Sequence, residues 1–317
     1  MTKFISLLAP AKVNLFLEVT GKLPNGYHEL ATLFAKISLA DTLHISAAPA
    51  EREEIHFEIT GPLAAHLTAT DDNLVVRAVR AFEEHYQMPL AGHIILEKHI
   101  PMGAGLGGGS SDAGTVLRAL CKLFDKNPSD LLARAARLGA DVPLFLYPDI
   151  FLKGEGIGEK LTPISAPGPL PWVVLVYPDT AVPTKGVFAR LQLPDAQHIL
   201  TSCSNLDKLI QYVKNGQPFT QWQTLFFNRL EEAVLPYVCS VRDVKQDFSA
   251  LGTNPLMSGS GSTVFALTTD RKRAEDLAGK INKKGRKVFV VQFGGTTDAD
   301  NRNSDSLDGG RAPQSLC

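Results

Sequence analysis

The sequence predicts a two-domain protein that contains both strands and helices. Its 317 residues correspond to about two domains of roughly 150 residues each. The pattern is mostly β up to about residue 98, and helical spacing becomes common after it. A proline cluster then marks a boundary before a new apolar strand; the prolines are Pro163, Pro167, Pro169 and Pro171. We therefore expect an N-terminal domain at residues 1–162, a C-terminal domain at residues 163–293 and a tail at residues 294–317.

Composition and charge disfavour several classes of protein. The 32 Lys and Arg residues nearly balance 33 Asp and Glu, so we expect no nucleic-acid partner. The chain is 44% hydrophobic and 21% charged, which is typical of globular proteins, and its apolar runs are too short to span a membrane. The cysteines, Cys121, Cys203, Cys239 and Cys317, form no C-x-x-C pair, which argues against a zinc or disulfide framework and favours a reducing, cytoplasmic location.

The first 60 residues predict strands. Residues 4–17 read as the first strand, with Pro10 at a bulge or break. Their apolar stretch resembles a secretory signal but is too short for one. Alternating apolar and polar residues predict further strands at residues 33–37, 42–45 and 55–59.

Helical spacing begins near residue 73. Residues 73–86 predict an amphipathic helix with Asn73 or Asp72 as its N-cap. Residues 92–100 then read as a strand that leads into a glycine-rich turn. Two further helices are predicted, one from Ser111 onward and one over residues 128–138.

The second half predicts a linker followed by a mixed domain. Residues 154–158 and the proline cluster form the predicted linker, and residues 172–177 are a continuous apolar strand. The tail has almost no apolar residues to offset its ordering entropy, so we expect it to be disordered. The remaining predicted elements are helices at residues 206–213, 219–235, 238–251 and 272–283 and strands at residues 262–268 and 287–293.

The glycine-rich turn predicts a phosphate-binding site. Five of the 26 glycines fall within residues 103–109, where backbone N–H groups and the following helix terminus can converge on an anion. A Walker A loop is excluded because no Gly-Lys is followed by Ser or Thr. Gly103-x-Gly105-x-x-Gly108 matches the dinucleotide fingerprint formally, but no second strand ending in an acidic residue follows, which disfavours a Rossmann domain.

Three segments, in this order, resemble the ordered motifs of the GHMP small-molecule kinases. They are Pro10-Ala-Lys-Val-Asn-Leu15, Gly105-Leu-Gly-Gly-Gly-Ser-Ser111 and Met257-Ser-Gly-Ser-Gly-Ser262. Three further segments resemble the members of this class that phosphorylate a substrate carrying a cytidine diphosphate group, the diphosphocytidyl form of methylerythritol, in the non-mevalonate isoprenoid pathway. These are Asn25-Gly-Tyr-His-Glu-Leu30, Gly139-Ala-Asp-Val-Pro143 and Asn228-Arg-Leu-Glu231.

The resemblance implies an α+β, two-domain GHMP kinase fold. Its N-terminal domain would be ribosomal-protein-S5-like and would bind ATP, and its C-terminal domain would be ferredoxin-like. The γ-phosphoryl of ATP would pass to the 2-hydroxyl of the substrate, with Lys12 and Asp141 as the catalytic pair. The implied nucleotide-binding residues are Pro101, Met102, Gly103, Ala104, Gly105, Leu106, Gly107, Gly108, Gly109, Ser110 and Ser111. The implied substrate-binding residues are Asn14, Tyr27, His28, Thr184 and Phe188.

These residue types suit phosphoryl transfer. Asp141 could remove the hydroxyl proton, although an Asp before Val-Pro also suits a helix cap. Tyr27 could stack on cytosine, while His28 could form hydrogen bonds with the edge of the base. We expect Mg²⁺ with ATP, but the sequence shows no dedicated metal site, and Ser111 and Asp112 are the only candidate contacts.

Alternative functions remain open from the sequence. Another GHMP kinase, such as one acting on homoserine or mevalonate, would share the three ordered motifs. A nicotinamide-dependent oxidoreductase or a non-catalytic binding module would be of a different class. The resemblance has one departure, because Arg229 stands where the class often has an acid.

Overall fold

The computed structural model of the chain describes residues 2–65, 68–70 and 72–294. The predicted tail, apart from Gly294, lies outside the described residues. Across the described ranges, no helix is both long and apolar enough to cross a membrane.

The strands form two sheets. In chain order they are β1 (Lys3–Lys22), β2 (His28–Pro49), β3 (Glu54–Thr60), β4 (Leu90–Glu97), β5 (Phe151–Glu155), β6 (Lys160–Ile164), β7 (Trp172–Tyr177), β8 (Phe227–Asn228), β9 (Leu256–Met257), β10 (Val264–Thr268) and β11 (Lys287–Gln292). The first sheet has the order β3-β4-β2-β1-β8, and β5 pairs with both β2 and β6. The second sheet has the order β11-β7-β10-β9.

The helices cover both sheets. They are α1 (Leu74–Tyr86), α2 (Gly108–Phe124), α3 (Leu132–Leu138), α4 (Thr184–Arg190), α5 (Ala196–Lys214), α6 (Phe219–Trp222), α7 (Glu231–Val234), α8 (Cys239–Ala250) and α9 (Arg271–Ile281). Short 3₁₀ helices lie at Pro128–Leu131, Pro143–Leu146 and Gln223–Leu225. Asn73 caps α1 by accepting from the Val75 amide, which is one of the two predicted caps.

The long antiparallel pair β1–β2 is the centre of the first sheet. Its register shifts between Pro10 and Ala11, which confirms the predicted irregularity at Pro10. β2 joins two predicted strands into one, so the separation at residues 38–41 was wrong. Asp41 tolerates burial there because its Oδ1 accepts the amides of His99 and Ile100, which satisfies the carboxylate inside the protein.

The two sheets share a hydrophobic core. Val13 and Leu15 of the first sheet belong to the same buried cluster as Leu175 and Phe265 of the second. The opposite face of β7, including Val174, packs with α8 and α9 in a separate cluster. This alternation is expected for a strand with both faces covered. The interface between the domains is therefore a packed apolar layer.

Two further predicted segments were wrong. Residues 154–158 are the β5–β6 hairpin and not a linker, since β5 pairs with β6 from Phe151 to Glu155. Residues 219–235 are not one helix, because β8 interrupts them and pairs in parallel with β1 at Phe16 and Leu17. Tertiary pairing overrides helical spacing here.

Candidate active site

The glycine loop, residues 101–111, follows β4 and includes the first turn of α2, at the junction of the two domains. Gly103, Gly105 and Gly107 adopt positive φ angles of 60°, 76° and 69°, which favour glycine. A Cβ atom on Gly105 would also collide with the carbonyl oxygen of Ser258. The loop therefore needs glycine both for its backbone conformation and for its close approach to the second domain.

The carbonyl groups of this loop are bonded to the surrounding protein. The Ala104 carbonyl accepts from the Thr263 amide at 3.1 Å, and the Leu106 carbonyl from the Lys12 amide at 2.9 Å. The Gly105 carbonyl accepts from the Ser258 hydroxyl at 2.9 Å. Among the described residues, the amides of residues 103–110 have no acceptor. The loop thus keeps its donors for a ligand, and α2 adds its helix terminus.

A second loop, residues 258–262, closes against the first. Asn228 of β8 holds it by donating Nδ2 to the carbonyls of Met257 and Gly259, at 2.7 and 2.8 Å. A Cβ on Gly259 would lie 3.3 Å from the Lys12 ammonium. The glycine there lets the second domain approach Lys12 directly.

Lys12 and Asp141 meet in the cavity between these loops. Their Nζ and Oδ2 atoms are 3.2 Å apart, and Lys12 is 5% exposed. Lys12 also donates to Asn14 Oδ1 at 2.9 Å. No side chain caps the 3₁₀ helix Pro143–Leu146, so Asp141 does not act as a cap. The carboxylate remains directed at the lysine.

The other predicted substrate residues line the same cavity as Asp141. His28 and Phe188 stack with their ring centroids 5.0 Å apart and 26° between their planes. Tyr27 is 58% exposed, and the Thr184 hydroxyl lies 2.8 Å from that of Ser260. Burial and the nearby Lys22 lower the pKa of His28 from 6.5, so this imidazole is neutral near pH 7.

A single cavity of about 1360 Å³ joins these groups. Its basic lining side chains are Lys12, Lys22, Lys98 and Lys185, and Asp141 is its acidic one. Lys98 is paired with Asp41 and Asp112 and Lys12 with Asp141, so the net positive charge of the lining comes from Lys22 and Lys185. This charge attracts phosphate-bearing ligands. The cavity borders every predicted site residue except Ser111.

Ser111 and Asp112 face the protein interior. Ser111 is fully buried and donates its hydroxyl to the Pro10 carbonyl at 2.6 Å, so it helps to hold α2 on β1. Asp112 is 3% exposed and pairs with Lys98 Nζ at 2.8 Å. Neither side chain borders the cavity, and Oδ1 of Asp112 is buried with no hydrogen-bond partner among the described residues.

The sequence did not reveal the buried triad Asp41–Lys98–Asp112. Lys98 Nζ bridges both carboxylates under the glycine loop. Burial works against the charge of Lys98, but Asp112 and Asp41 outweigh it and raise the pKa of Lys98 above 10.5. Burial and Asp41 raise the pKa of Asp112 well above 3.8, against the effect of Lys98. The Lys98–His99 pattern before the glycines gave no sign of these partners.

Arg229 also has a role that the sequence did not reveal. Its Nε and Nη2 atoms donate to the two carboxylate oxygens of Glu18, both at 2.8 Å, in a bidentate pair. Glu18 is fully buried. The pair joins β1 to the segment after β8 and supports the placement of Asn228.

The fold and this cavity agree with the comparisons to known proteins. The family described as GHMP kinases N terminal domain matches residues 73–149, and the family described as GHMP kinases C terminal matches residues 219–287. The solved homoserine kinase from Cytophaga hutchinsonii has a TM-score of 0.70 at 20% identity, covering 92% of this chain and 96% of that one, and shows the same fold. The protein is a GHMP kinase, an ATP-dependent small-molecule kinase with the predicted α+β fold.

Closer relatives define the family. The 4-diphosphocytidyl-2-C-methyl-D-erythritol kinase of Lachnoclostridium phytofermentans is 37% identical, covering 91% of this chain and 97% of the relative. That of Chloroherpeton thalassium is 38% identical, covering 84% and 90%. A crystal structure of 4-(cytidine 5'-diphospho)-2C-methyl-D-erythritol kinase has a TM-score of 0.72 at 36% identity, covering 92% of this chain and all of that one. The chain belongs to the 4-diphosphocytidyl-2-C-methyl-D-erythritol kinase family, which confirms the resemblance seen in its motifs.

Proposed function

We propose that this enzyme transfers the γ-phosphoryl group of ATP to the 2-hydroxyl of 4-diphosphocytidyl-2-C-methyl-D-erythritol. The products are the 2-phosphate and ADP, and the reaction is a step of the non-mevalonate isoprenoid pathway. The observation that carries the proposal is the Lys12–Asp141 pair, which lies in one cavity with the glycine loop and the His28–Phe188 stack. The relatives at 34–38% identity favour this substrate over homoserine.

The glycine loop supplies the phosphate site in this proposal. The amides of residues 103–110 are available, and phosphoryl transfer through a loose transition state depends mainly on alignment and charge neutralisation. The bonded carbonyls keep the loop from rearranging when an anion arrives. The neighbouring lysines reduce the repulsion between the phosphates of the two substrates.

Asp141 is the general base in this proposal. Its carboxylate takes the proton of the 2-hydroxyl as that oxygen bonds to the γ-phosphorus, and the bond to the β-phosphate oxygen breaks with its electrons leaving on ADP. Such assistance is typically worth about 10² to 10⁴ in rate. Lys12 at 3.2 Å stabilises both the carboxylate and the charge on the transferred group.

The aromatic side of the cavity binds the cytosine in this proposal. A neutral His28 has one nitrogen that donates and one that accepts, which suits the hydrogen-bonding edge of cytosine. Its contact with Phe188 fixes the plane of the imidazole, while the exposed Tyr27 is free to stack on the base. Thr184 lies beside Ser260 and lines the same cavity.

Magnesium is proposed to enter with ATP. When bound to nucleotide, Mg²⁺ neutralises phosphate charge. No group of three or more His, Cys, Asp or Glu within residues 2–65, 68–70 and 72–294 could hold a metal, and Asp112 is committed to Lys98. The chain's residues therefore do not fit a dedicated magnesium site. A cytoplasmic location is also proposed, supported by the free cysteines Cys121, Cys203 and Cys239.

A coupled ADP-release assay tests this function. ATP and Mg²⁺ are supplied with diphosphocytidyl methylerythritol, homoserine or mevalonate, for the wild type and for Asp141→Asn. We expect turnover with the cytidylyl substrate alone and its loss in the variant. Turnover of homoserine or mevalonate instead would reject the assigned substrate, and full activity of the variant would reject the assigned base.

A further inference from the structure

We infer that Thr32 is a positioning residue that directs Lys12 toward Asp141 by fixing the amide of Asn14. The inference rests on the proposed function for its kinetic test. Thr32 is fully buried on β2 and does not border the cavity, so it cannot touch either substrate. It acts through a chain of hydrogen bonds that ends at the catalytic pair.

The direction of each hydrogen bond in the chain follows from the atoms available. Thr32 has one hydroxyl proton, and it is donated to the Phe16 carbonyl at 2.6 Å. The Thr32 oxygen can then only accept, so the group facing it at 2.9 Å must be the Nδ2 of Asn14. This places Oδ1 of Asn14 at the other end of the amide, 2.9 Å from Lys12 Nζ.

The opposite amide orientation is excluded at both ends. It would face Nδ2 of Asn14 to the Lys12 ammonium, where two donors meet with no acceptor between them. It would also face Oδ1 to the Thr32 oxygen, whose proton is already given to Phe16. An asparagine 1% exposed cannot exchange these partners for water, so a wrong orientation would leave buried groups unpaired.

Lys12 depends on this restraint because it has few other tethers. Its ammonium has Asn14 Oδ1 and Asp141 Oδ2 as described polar partners, and the Phe34 ring lies 5.4 Å away. Asp141 is the more exposed partner, at 29% of its side chain. The buried end of this series of hydrogen bonds is therefore its rigid end. It lies at the register shift between Asn14 and Phe16 of β1.

The test compares Thr32→Val, which has nearly the same shape but no hydroxyl, with Thr32→Ser, which keeps it. We expect kcat to fall about 10- to 100-fold in Thr32→Val, the scale for small misplacements of catalytic groups, with KM for ATP within about threefold. Thr32→Ser should retain most of the wild-type kcat. The control is Thr115→Val, since Thr115 is also fully buried but its hydroxyl has no partner among the described residues; its kcat should be unchanged.

A double variant separates positioning from a general loss of structure. If Thr32 acts only through Asn14, then adding Thr32→Val to Asn14→Ala should lower kcat no further, because the two residues form one unit. Additive losses would overturn the inference, as would a folded Thr32→Val with wild-type kcat. If Thr32→Val does not fold, Thr32→Cys replaces it, since a thiol is of similar size and a weaker hydrogen-bonding group.

A crystal structure of Thr32→Val gives a readout that does not depend on activity. We expect Asn14 to rotate and the Lys12 ammonium to leave its position near Asp141. Retention of both contacts would overturn the inference even if the proposed substrate proved wrong. Absence of wild-type turnover, in contrast, would reject the proposed function and leave this structural outcome to decide the role of Thr32.

Discussion

The Lys12 ammonium lies 3.2 Å from Oδ2 of Asp141, although the two residues are far apart in the sequence. Lys12 is on β1, and its backbone amide also bonds the Leu106 carbonyl of the glycine loop. One residue thus connects the proposed base to the glycine loop. Because β1 is buried on both sides over this stretch, Lys12, Asp141 and the glycine loop are held in fixed positions relative to one another.

The proposed catalytic pair predicts a loss of activity when either residue is replaced. We expect Asp141→Asn to lower kcat by about 10² to 10⁴, since it removes the proposed general base. Lys12→Met should lower kcat as well, and it leaves the carboxylate without its cation. Steady-state kinetics with both substrates saturating measures each effect. A normal kcat in Asp141→Asn, with correct folding shown by circular dichroism, would contradict the assignment.

The close packing of the glycine loop predicts that Gly105 cannot be replaced. Gly105→Ala would place Cβ against the Ser258 carbonyl at a positive φ, so we expect it to destabilise the fold by about 1–3 kcal/mol. Gly279→Ala is the matched control, because nothing lies within 4 Å of its Cβ position. It should stabilise α9 by about 0.5–1 kcal/mol. Urea unfolding measures both; equal stability of the two variants would show that the loop can adapt.

The lowered pKa of His28 predicts a pH dependence of substrate binding. Burial and Lys22 hold its pKa below 6.5, so the imidazole is neutral above pH 6.5 and gains a proton only at lower pH. KM for the cytidylyl substrate should be constant above pH 6.5 and rise as the pH falls through the lowered pKa. The free energy of unfolding also falls as the pH drops below 6.5. The unfolded state, in which His28 has the higher pKa, binds the proton first.

The His28→Gln variant is the control for that dependence. The terminal phosphate of ATP also titrates in this pH range, but it affects both proteins equally. We expect KM to be about fivefold higher in the variant, the equivalent of roughly 1 kcal/mol for one hydrogen bond, and the additional rise at low pH to disappear. An identical pH dependence of KM in the two proteins would show that His28 does not form a hydrogen bond with the substrate.

Buried Lys36 predicts a stability that rises with pH. Burial and Arg118 lower the pKa of Lys36 to about 7, despite Asp149, and its ammonium donates to the Tyr147 carbonyl. Below pH 7 the lysine is charged in both the folded and the unfolded protein, so the folded protein bears the full cost of burying the charge. That cost disappears between about pH 7 and the ordinary value of 10.5, because only the unfolded state then holds the proton.

Lys36→Met tests this sign. At pH 7 we expect the variant to be more stable than the wild type by about 1–4 kcal/mol, the range seen when buried charges are replaced by apolar side chains. The difference should shrink toward pH 10. Urea unfolding at both pH values measures it, and a wild type that is more stable than the variant at pH 7 would contradict the lowered pKa.

Much of the fold was determined by local patterns in the sequence. The continuous apolar run of β7, the amphipathic spacing of α1 and the irregularity at Pro10 all predicted what the structure shows. These features follow from the burial of a strand on both faces, from the helical period of 3.6 residues and from the missing amide of proline. The ordered motifs predicted the class of enzyme, which the relatives confirm. The roles of the individual site residues and the domain boundaries remain predictions.

The partners of buried polar groups were decided by the tertiary structure alone. The bidentate pair of Glu18 and Arg229, the triad around Lys98 and the link from Thr32 to Lys12 join residues on different strands and domains. No local period encodes such pairs, because a polar side chain in a strand looks the same whether it faces water or a buried partner. Only the packed chain, in which an unpaired buried group costs about 1–3 kcal/mol, selects the partner and with it the geometry of the active site.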